Sequence, residues 1–141
     1  MKTTLLKLNF WFTFFISFLL TCSFAYYQSD DNLAHFIVKV NSAWGSKCEK
    51  CVEYEGYKRK YDDTYKVWMV NTSEQTLDVK CCVQEESKTW TCYTKNNMLP
   101  KDTLIAYACK GTGKYLRWAK KEGDTGIIFP TDSEVNEQFP D

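Results

Sequence analysis

The sequence predicts a small, mainly β domain: an antiparallel β-sandwich or sheet that is stapled by disulfides and carries a long charged loop. Two observations support this fold class. Short segments rich in β-branched and aromatic residues recur about every ten residues, with turn-forming residues between them. The 141-residue chain also contains seven cysteines, and cysteine-rich small domains of this kind are typically secreted and cross-linked.

The N-terminus has the pattern of a signal peptide over residues 1–25. Lys2 and Lys7 provide a positive start, an apolar run over residues 10–20 follows, and Ala25 marks the expected cleavage site. The run is too short for a transmembrane helix, which needs roughly 20 apolar residues. Cleavage after Ala25 would remove Cys22 and leave an even number of cysteines. The sequence therefore predicts a secreted, extracellular protein with no membrane span after cleavage.

The remainder is predicted to be a single disulfide-rich β domain over residues 26–130, followed by an acidic flexible tail over residues 131–141. The signal peptide contains two lysines and no acidic residue, so the 18 basic residues of the chain fall to 16 against 18 acidic ones. Without a positive excess the chain is poorly suited to neutralising phosphates, and nucleic acid is not an expected partner.

The strands are predicted at short intervals along the domain. Alternating or β-rich stretches begin near residue 36 and recur over residues 64–70, 76–83, 88–94 and 103–109. Residues 113–121 suit a helix as well as a strand, and we favour a strand because Gly111-Thr112-Gly113 forms a natural hairpin loop. The strongly charged segment over residues 46–63 is predicted to be an extended loop.

The cysteines that remain after cleavage are all predicted to form disulfides: Cys48, Cys51, Cys81, Cys82, Cys92 and Cys109. Many pairings are open to six cysteines, and the sequence does not choose among them. Neighbouring residues of a strand face opposite sides. We therefore expect Cys81 on the apolar face of its strand and Cys82 on the polar face.

The turn between the strands near residue 85 decides which side chains meet. A turn over residues 84–87 that pairs Val83 with Lys88 would place Trp90 and Cys92 on the inner face with Cys81. Cys109 is expected to face inward together with the residues two and four positions before it. Cys82 would then tether the charged loop from the outer face through one of the two cysteines in that loop.

The spacing Cys48-x-x-Cys51 also occurs in redox pairs and in zinc sites. A redox pair needs a strand-to-helix setting that the sequence does not predict, and adjacent cysteines such as Cys81 and Cys82 suit zinc poorly. We therefore expect structural disulfides here, with no metal and no cofactor.

The sequence contains no recognisable catalytic set. His35 is the only histidine, no Gly-x-Ser-x-Gly motif is present, and the paired carboxylates lie in charged loops where solvation keeps them ordinary. We therefore predict no catalytic residue and a protein that is not an enzyme.

Two basic and aromatic clusters are the candidate binding residues. The first comprises Tyr57, Lys58, Arg59, Lys60 and Tyr61, and the second is centred on Arg117 and Trp118. Arginine and large aromatic side chains are frequent anchors in protein interfaces. Asn71-Thr72-Ser73 is an acceptor sequence for N-glycosylation in a predicted turn.

The leading interpretation is a secreted, non-enzymatic interaction protein of a toxin-, effector- or inhibitor-like kind that binds an extracellular protein or receptor. The alternative is a carbohydrate-binding module, which requires at least two exposed tryptophans in a row among Trp44, Trp68, Trp90 and Trp118. A third and less favoured interpretation is a small hydrolase that uses His35 with a carboxylate.

Overall fold

The computed structural model describes residues 33–45, 47–52 and 61–140. The predicted signal peptide and residues 57–60 of the first basic cluster lie outside the described residues. Within the described part, no helix has the length and apolar character that crossing a membrane requires.

The described chain is mainly β, as the sequence predicts. Six strands are framed by short helices. In chain order the elements are a 3-10 helix at Leu33–Phe36, β1 at Ile37–Trp44, α1 at Glu49–Val52, β2 at Tyr65–Asn71, β3 at Leu77–Glu85, β4 at Trp90–Met98, β5 at Thr103–Ala108, β6 at Gly111–Lys121 and α2 at Asp132–Gln138.

The strands form two antiparallel three-stranded sheets that enclose one core. The first sheet has the order β1-β2-β5 and the second has the order β4-β3-β6. Alternate residues of every strand face the interior, and both sheets contribute to the same apolar cluster. Its central residues include Val67 and Met69 from the first sheet and Val79, Cys81 and Val83 from the second.

The central strand β3 is buried on both faces, because the C-terminal segment covers its outer side. Val135 of α2 packs with Cys82 and Trp90 in a second apolar cluster, and Phe139 lies against the same cluster. The indole Nε1 of Trp90 donates to the carbonyl of Phe139 at 2.6 Å. Cys82 is therefore buried in this second cluster and not in the main core.

The acidic tail predicted to be flexible is instead helical over most of its length. Thr131 and Glu134 form a reciprocal capping box at the start of α2. Val135 and Phe139 are four residues apart, so they lie on one side of the helical segment and pack together onto the second sheet. The acidic composition of this segment led to a wrong prediction of flexibility, because the segment also contains a helix start signal and an apolar side.

The hairpin between β3 and β4 has a different register from the predicted one. Val83 pairs with Thr91 rather than with Lys88, and the turn is closed by a bond from the Glu85 amide to the Thr89 carbonyl at 2.8 Å. This displacement by three positions moves every β4 side chain to the opposite face. Trp90 therefore lies under α2 and not in the main core.

Four cysteines form two disulfides, Cys51–Cys109 and Cys82–Cys92. Cys82 thus bridges to the directly opposite residue of β4 and does not tether the charged loop, which contains α1. Cys48 and Cys81 are buried thiols, so the prediction that all six cysteines are bridged is not met by this structure. Each bridge is expected to contribute roughly 2–4 kcal/mol to the free energy of unfolding.

The residues of β5 face the opposite way from the prediction. Leu104, Ala106 and Ala108 enter the core, while Ile105 is exposed and Tyr107 is half-buried. Cys109 follows the same alternation, which brings it outside the sandwich where Cys51 of α1 reaches it. The inner face of β5 carries two small alanines, so the bulkier Ile105 and Tyr107 were wrongly predicted to be the core residues.

Candidate functional site

The outer face of the first sheet presents a regular apolar surface. Register pairs align its outward side chains in three rows across the three strands. The rows are Val38–Val70–Thr103, Asn41–Trp68–Ile105 and Ala43–Lys66–Tyr107. We call these nine residues the exposed face. Lys66 is the single charged side chain among them.

Much of this face is open to solvent. Val38 is 38% exposed and Ile105 is 48% exposed, while Trp68 and Val70 are half-buried by their neighbours on the sheet. In the described part of the chain, α1 and the residues just before it contact one end of the face, and Tyr93 of β4 packs against Tyr107 at the same end. An apolar sheet face left open in this way is a typical feature of a binding surface.

α1 is fixed to that end by two kinds of contact. Cys51 is bonded to Cys109, and the ammonium of Lys66 donates to the carbonyl of Lys47 at 3.2 Å. The Cys48 thiol lies beside the side chain of Tyr107. These contacts hold α1 beside the row that contains Lys66, where Lys66 stays half-buried, and leave the other two rows open.

A tyrosine pair closes the sandwich behind α1. The rings of Tyr93 and Tyr107 are 4.9 Å apart, and the Tyr93 hydroxyl donates to the carbonyl of Tyr107 at 3.0 Å. Burial raises the pKa of both phenols, and the Cys48 thiol adds to the shift at Tyr107. Both side chains therefore stay neutral and act as structural groups at ordinary pH.

The structure does not bring the predicted binding residues into one patch. Trp118 lies on the outer face of the second sheet, with its ring centroid 6.1 Å from that of Phe139. Arg117 is on the opposite face of the same strand, where its register partner is Cys81. Tyr61 is half-buried, and its backbone carbonyl accepts a hydrogen bond from the amide of Thr64, the residue before β2. The other residues of its cluster lie outside the described residues.

The four tryptophans do not form a row. Trp90 is buried beneath α2, and Trp118 packs beside Phe139. Trp68 is on the exposed face, whereas Trp44 pairs in register with core residue Tyr65 and so lies on the other side of the first sheet. The aromatic strip that the carbohydrate-binding alternative requires is therefore not formed by these side chains.

Asn71 is fully buried, which differs from the exposed turn expected for a glycosylation site. Its amide nitrogen donates to the carbonyls of Gln75 at 2.8 Å and Met98 at 3.0 Å. Its amide oxygen accepts from the backbone and hydroxyl of Ser73. All its hydrogen-bonding capacity closes the turn after β2, because Asn side chains readily replace backbone partners in turns.

The groups considered for hydrolysis are in separate places. His35 is in the 3-10 helix, and its ring lies 3.9 Å from that of Phe36 in the same helix. The carboxylate of Glu85 accepts from the backbone amides of Cys109 and Lys110, which fixes the turn between β5 and β6. Among the described residues, no group of three or more His, Cys, Asp or Glu side chains is arranged to hold a metal ion.

Two open grooves lie on the second sheet. One, of about 440 Å³, is lined by residues of β6 together with Trp90 and Phe139. The other, of about 310 Å³, is bordered by Glu85, Glu86, Ser87 and Lys110. Both grooves are shallow, and the second is formed largely by residues of the turn between β3 and β4.

Sequence reasoning missed the exposed face. The alternation in β2 identifies its two sides, but both sides contain large apolar residues: Val67 and Met69 on one, Trp68 and Val70 on the other. Nothing local distinguishes the covered side from the open one. That assignment depends on the second sheet, which packs on only one side.

No protein-family model, curated protein or solved structure matches this chain.

Proposed function

We propose that this protein is a secreted, non-enzymatic interaction protein that binds an extracellular protein through the exposed face of its first sheet. Two disulfides in a small β domain support an extracellular setting, since oxidising compartments favour such bonds. The observation that carries the proposal is that the two outer faces differ: among the described residues, α2 covers the outer face of the second sheet, whereas most of the outer face of the first sheet is left open.

The covered face suggests what the open face would bind. On the second sheet, Lys80 and Trp118 are register partners. Asp132 of α2 forms an ion pair with Lys80, and apolar side chains of the C-terminal segment pack in the cluster that Trp118 adjoins. The first sheet has a similar pair, Lys66 and Trp68, two positions apart on the open face of β2. An acidic, amphipathic segment of a partner protein would complete this face as α2 completes the other.

The charge of the face favours the same partner. Lys66 gives one of its three ammonium protons to the Lys47 carbonyl, and the remaining protons can reach a partner carboxylate. Trp68 and Ile105 are directly opposite each other and offer an apolar anchor beside it. We therefore infer a partner segment in which a carboxylate is flanked by large apolar side chains.

A binding experiment on intact cells tests this proposal. The full chain is expressed through a secretory pathway, labelled, and offered to surface-intact cells beside insoluble cellulose and chitin. We expect saturable binding to cells that is lost after protease treatment of the cell surface. Ile105→Glu should weaken this binding by roughly a hundredfold or more, because it places a buried charge in the anchor and repels the partner carboxylate.

Ile128→Glu is the matched control, since Ile128 is 86% exposed and lies in the segment that precedes α2. This variant makes the same chemical change away from the exposed face, and its binding should equal that of the wild type. Equal binding by the two variants, an absence of saturable binding to cells, or binding to polysaccharide that soluble sugar displaces would each contradict the proposal.

A further inference from the structure

Two edge strands of different sheets run beside each other on one side of the sandwich. β1 is an edge of the first sheet and β6 is an edge of the second. The ammonium of Lys39 lies 5.2 Å from the ring centroid of Tyr115, and the indole of Trp44 lies against Gly113. These two contacts join the strands, and Arg117 follows two positions beyond Tyr115 on the same face of β6. We define the β1–β6 cleft by Lys39, Ser42, Trp44, Tyr115 and Arg117.

The cations of this cleft have no acidic partner in the described part of the chain. Arg117 is half-buried beside Cys81, yet its guanidinium makes neither a hydrogen bond nor an ion pair with any described residue. Among the residues that the structure describes, the ammonium of Lys39 interacts only with the ring of Tyr115. Neither β1 nor β6 contains an aspartate or a glutamate. The cleft therefore combines two positive charges with no negative charge on either strand.

A half-buried guanidinium without an acceptor is unfavourable unless a ligand or solvent supplies one. Arginine has five N–H donors in a planar fork that fits an oxyanion in bidentate fashion. Within the described residues, the hydroxyl of Ser42 and the indole N–H of Trp44 have no hydrogen-bond partner either. The cleft thus presents donors to an acceptor-rich, anionic ligand.

An aromatic surface adjoins these donors. Trp44 is 53% exposed, and its ring is held by Tyr65, with 4.7 Å between the ring centroids. Gly113 lets the ring lie close to β6, since a Cβ there would be 3.3 Å from the indole. An indole that is held in place and about half exposed is suited to contact with the apolar side of a sugar ring.

We propose that the β1–β6 cleft binds a sulfated oligosaccharide, with sulfate groups on Lys39 and Arg117 and a sugar ring on Trp44. The cleft lies on the opposite side of the first sheet from the exposed face, so this site is independent of the proposed protein-binding function. Nucleic acid fits less well, because two cations in a chain with no net positive charge neutralise few phosphates. A single aromatic platform suits one sugar ring and not an extended strip.

Calorimetric titration of the full, oxidised chain with a heparin-derived hexasaccharide tests the site. We expect binding that weakens as salt is added, because the contacts are charged. The same hexasaccharide without its sulfates, and inorganic sulfate alone, should each bind at least roughly tenfold more weakly, since each lacks one half of the recognition.

Paired variants locate the binding. Lys39→Gln combined with Arg117→Gln should lower the affinity by at least roughly tenfold, because two charge-assisted contacts are lost. Lys47→Gln combined with Lys101→Gln removes the same charge from exposed lysines outside the cleft, and it should change the affinity by less than about twofold. Trp44→Leu should weaken binding while leaving its salt dependence unchanged.

Lys39→Gln alone keeps the result interpretable if replacing Arg117 perturbs the fold, since Lys39 is an exposed edge residue. That variant should still weaken binding. The inference is overturned if the cleft variants bind like the wild type, if the control pair loses as much affinity as the cleft pair, or if no binding occurs. Equally tight binding of a hexameric glutamate peptide would overturn it as well, because it would show charge attraction without recognition of a sugar.

Discussion

The ammonium of Lys80 lies 2.6 Å from the carboxylate of Asp132, and this ion pair ties α2 to the outer face of β3. The lysine side chain is almost fully buried, whereas the aspartate is largely exposed. Lys80 also donates to the carbonyl of Pro130 at 2.7 Å. The buried charge therefore depends on two acceptors that both belong to the C-terminal segment.

Asp132→Asn should lower the free energy of unfolding by about 1–2 kcal/mol, because it leaves the buried ammonium with one neutral carbonyl and a weak amide acceptor. Urea unfolding followed by tryptophan fluorescence measures this, since Trp90 lies beneath α2. Glu137→Gln is the control: among the described residues, Glu137 bonds only to Ser133 of the same helix, so its loss should cost less than about 0.5 kcal/mol.

Removing both members of the pair sharpens this prediction. Lys80→Met combined with Asp132→Asn should be less destabilised than Asp132→Asn alone, because no buried charge is left without its partner. If the double variant is instead the less stable one, the buried ammonium is not the source of the cost.

Asn71→Asp should destabilise the fold by roughly 3 kcal/mol or more, because it replaces a buried N–H donor with an oxygen facing two carbonyl acceptors. Ser73→Thr retains both the hydroxyl and the glycosylation sequence, and it should be close to neutral. Thermal denaturation of the two variants makes the comparison.

The same geometry predicts that Asn71 carries no glycan in the folded protein. Attachment of a sugar would replace one of the two hydrogens that the amide donates and would need space that the buried side chain lacks. Intact-mass measurement before and after peptide N-glycosidase treatment should give one mass. A mass loss on treatment would show that this turn forms differently in the secreted protein.

The Cys81 thiol should make stability decline at alkaline pH. Burial raises its pKa from the ordinary 9.0 to about 12, against an opposing influence of Arg117. The unfolded chain loses the proton near the ordinary value while the folded chain keeps it, so stability is full below that pH and falls as pH rises toward the folded value. Between about pH 8 and about pH 10 this amounts to about 1.4 kcal/mol.

Cys81→Ala should remove the part of the alkaline loss of stability that comes from this thiol. The informative quantity is the difference between the two pH values for each protein, because the alanine variant also has a cavity cost that is independent of pH. Tyr93 contributes to both proteins equally and so cancels. Parallel pH profiles for the wild type and the variant would mean that the thiol titrates normally in the folded state.

Gly113→Ala and Gly123→Ala separate backbone strain from packing. Both glycines have positive φ, at +85° and +70°, so alanine costs about 1–2 kcal/mol at either position. Only Gly113 has a neighbour, Trp44, in the space a Cβ would fill. We expect the larger destabilisation and a changed tryptophan emission spectrum for Gly113→Ala alone. Identical spectra and stabilities for the two variants would show that β1 does not approach β6 at this point.

Local patterns in the sequence predict the strands well but not their pairing. The β-rich stretch over residues 64–70 corresponds to β2 at Tyr65–Asn71, and that over residues 103–109 corresponds to β5 at Thr103–Ala108. Alternation also assigns Cys81 to the apolar side of β3. The β3–β4 register was predicted wrongly, with Val83 opposite Lys88 and not Thr91. A longer turn costs little locally, yet a shift by an odd number of residues reverses every side chain of the next strand.

The candidate site could not be predicted for a related reason. Trp68 and Met69 are both apolar, and only the position of the second sheet decides that Met69 is buried and Trp68 is not. Pairing of Lys39 with Tyr115 likewise joins residues far apart in the chain, through two sheet edges that no local pattern brings together. The sites depend on long-range geometry, whereas the strands depend on neighbouring residues.

The position of α2 at the end of the chain has a consequence for biosynthesis. Residues 77–98 leave the ribosome before Val135 and Phe139, so the outer side of β3 is accessible to oxidants until the C-terminal segment follows and packs onto it. Cys82 and Cys92 can therefore be joined before α2 packs, and Val135 and Phe139 then cover the Cys82 side of the bond, while Cys92 stays half-buried. A chain truncated before residue 131 would present this bridge permanently to the redox machinery of its compartment.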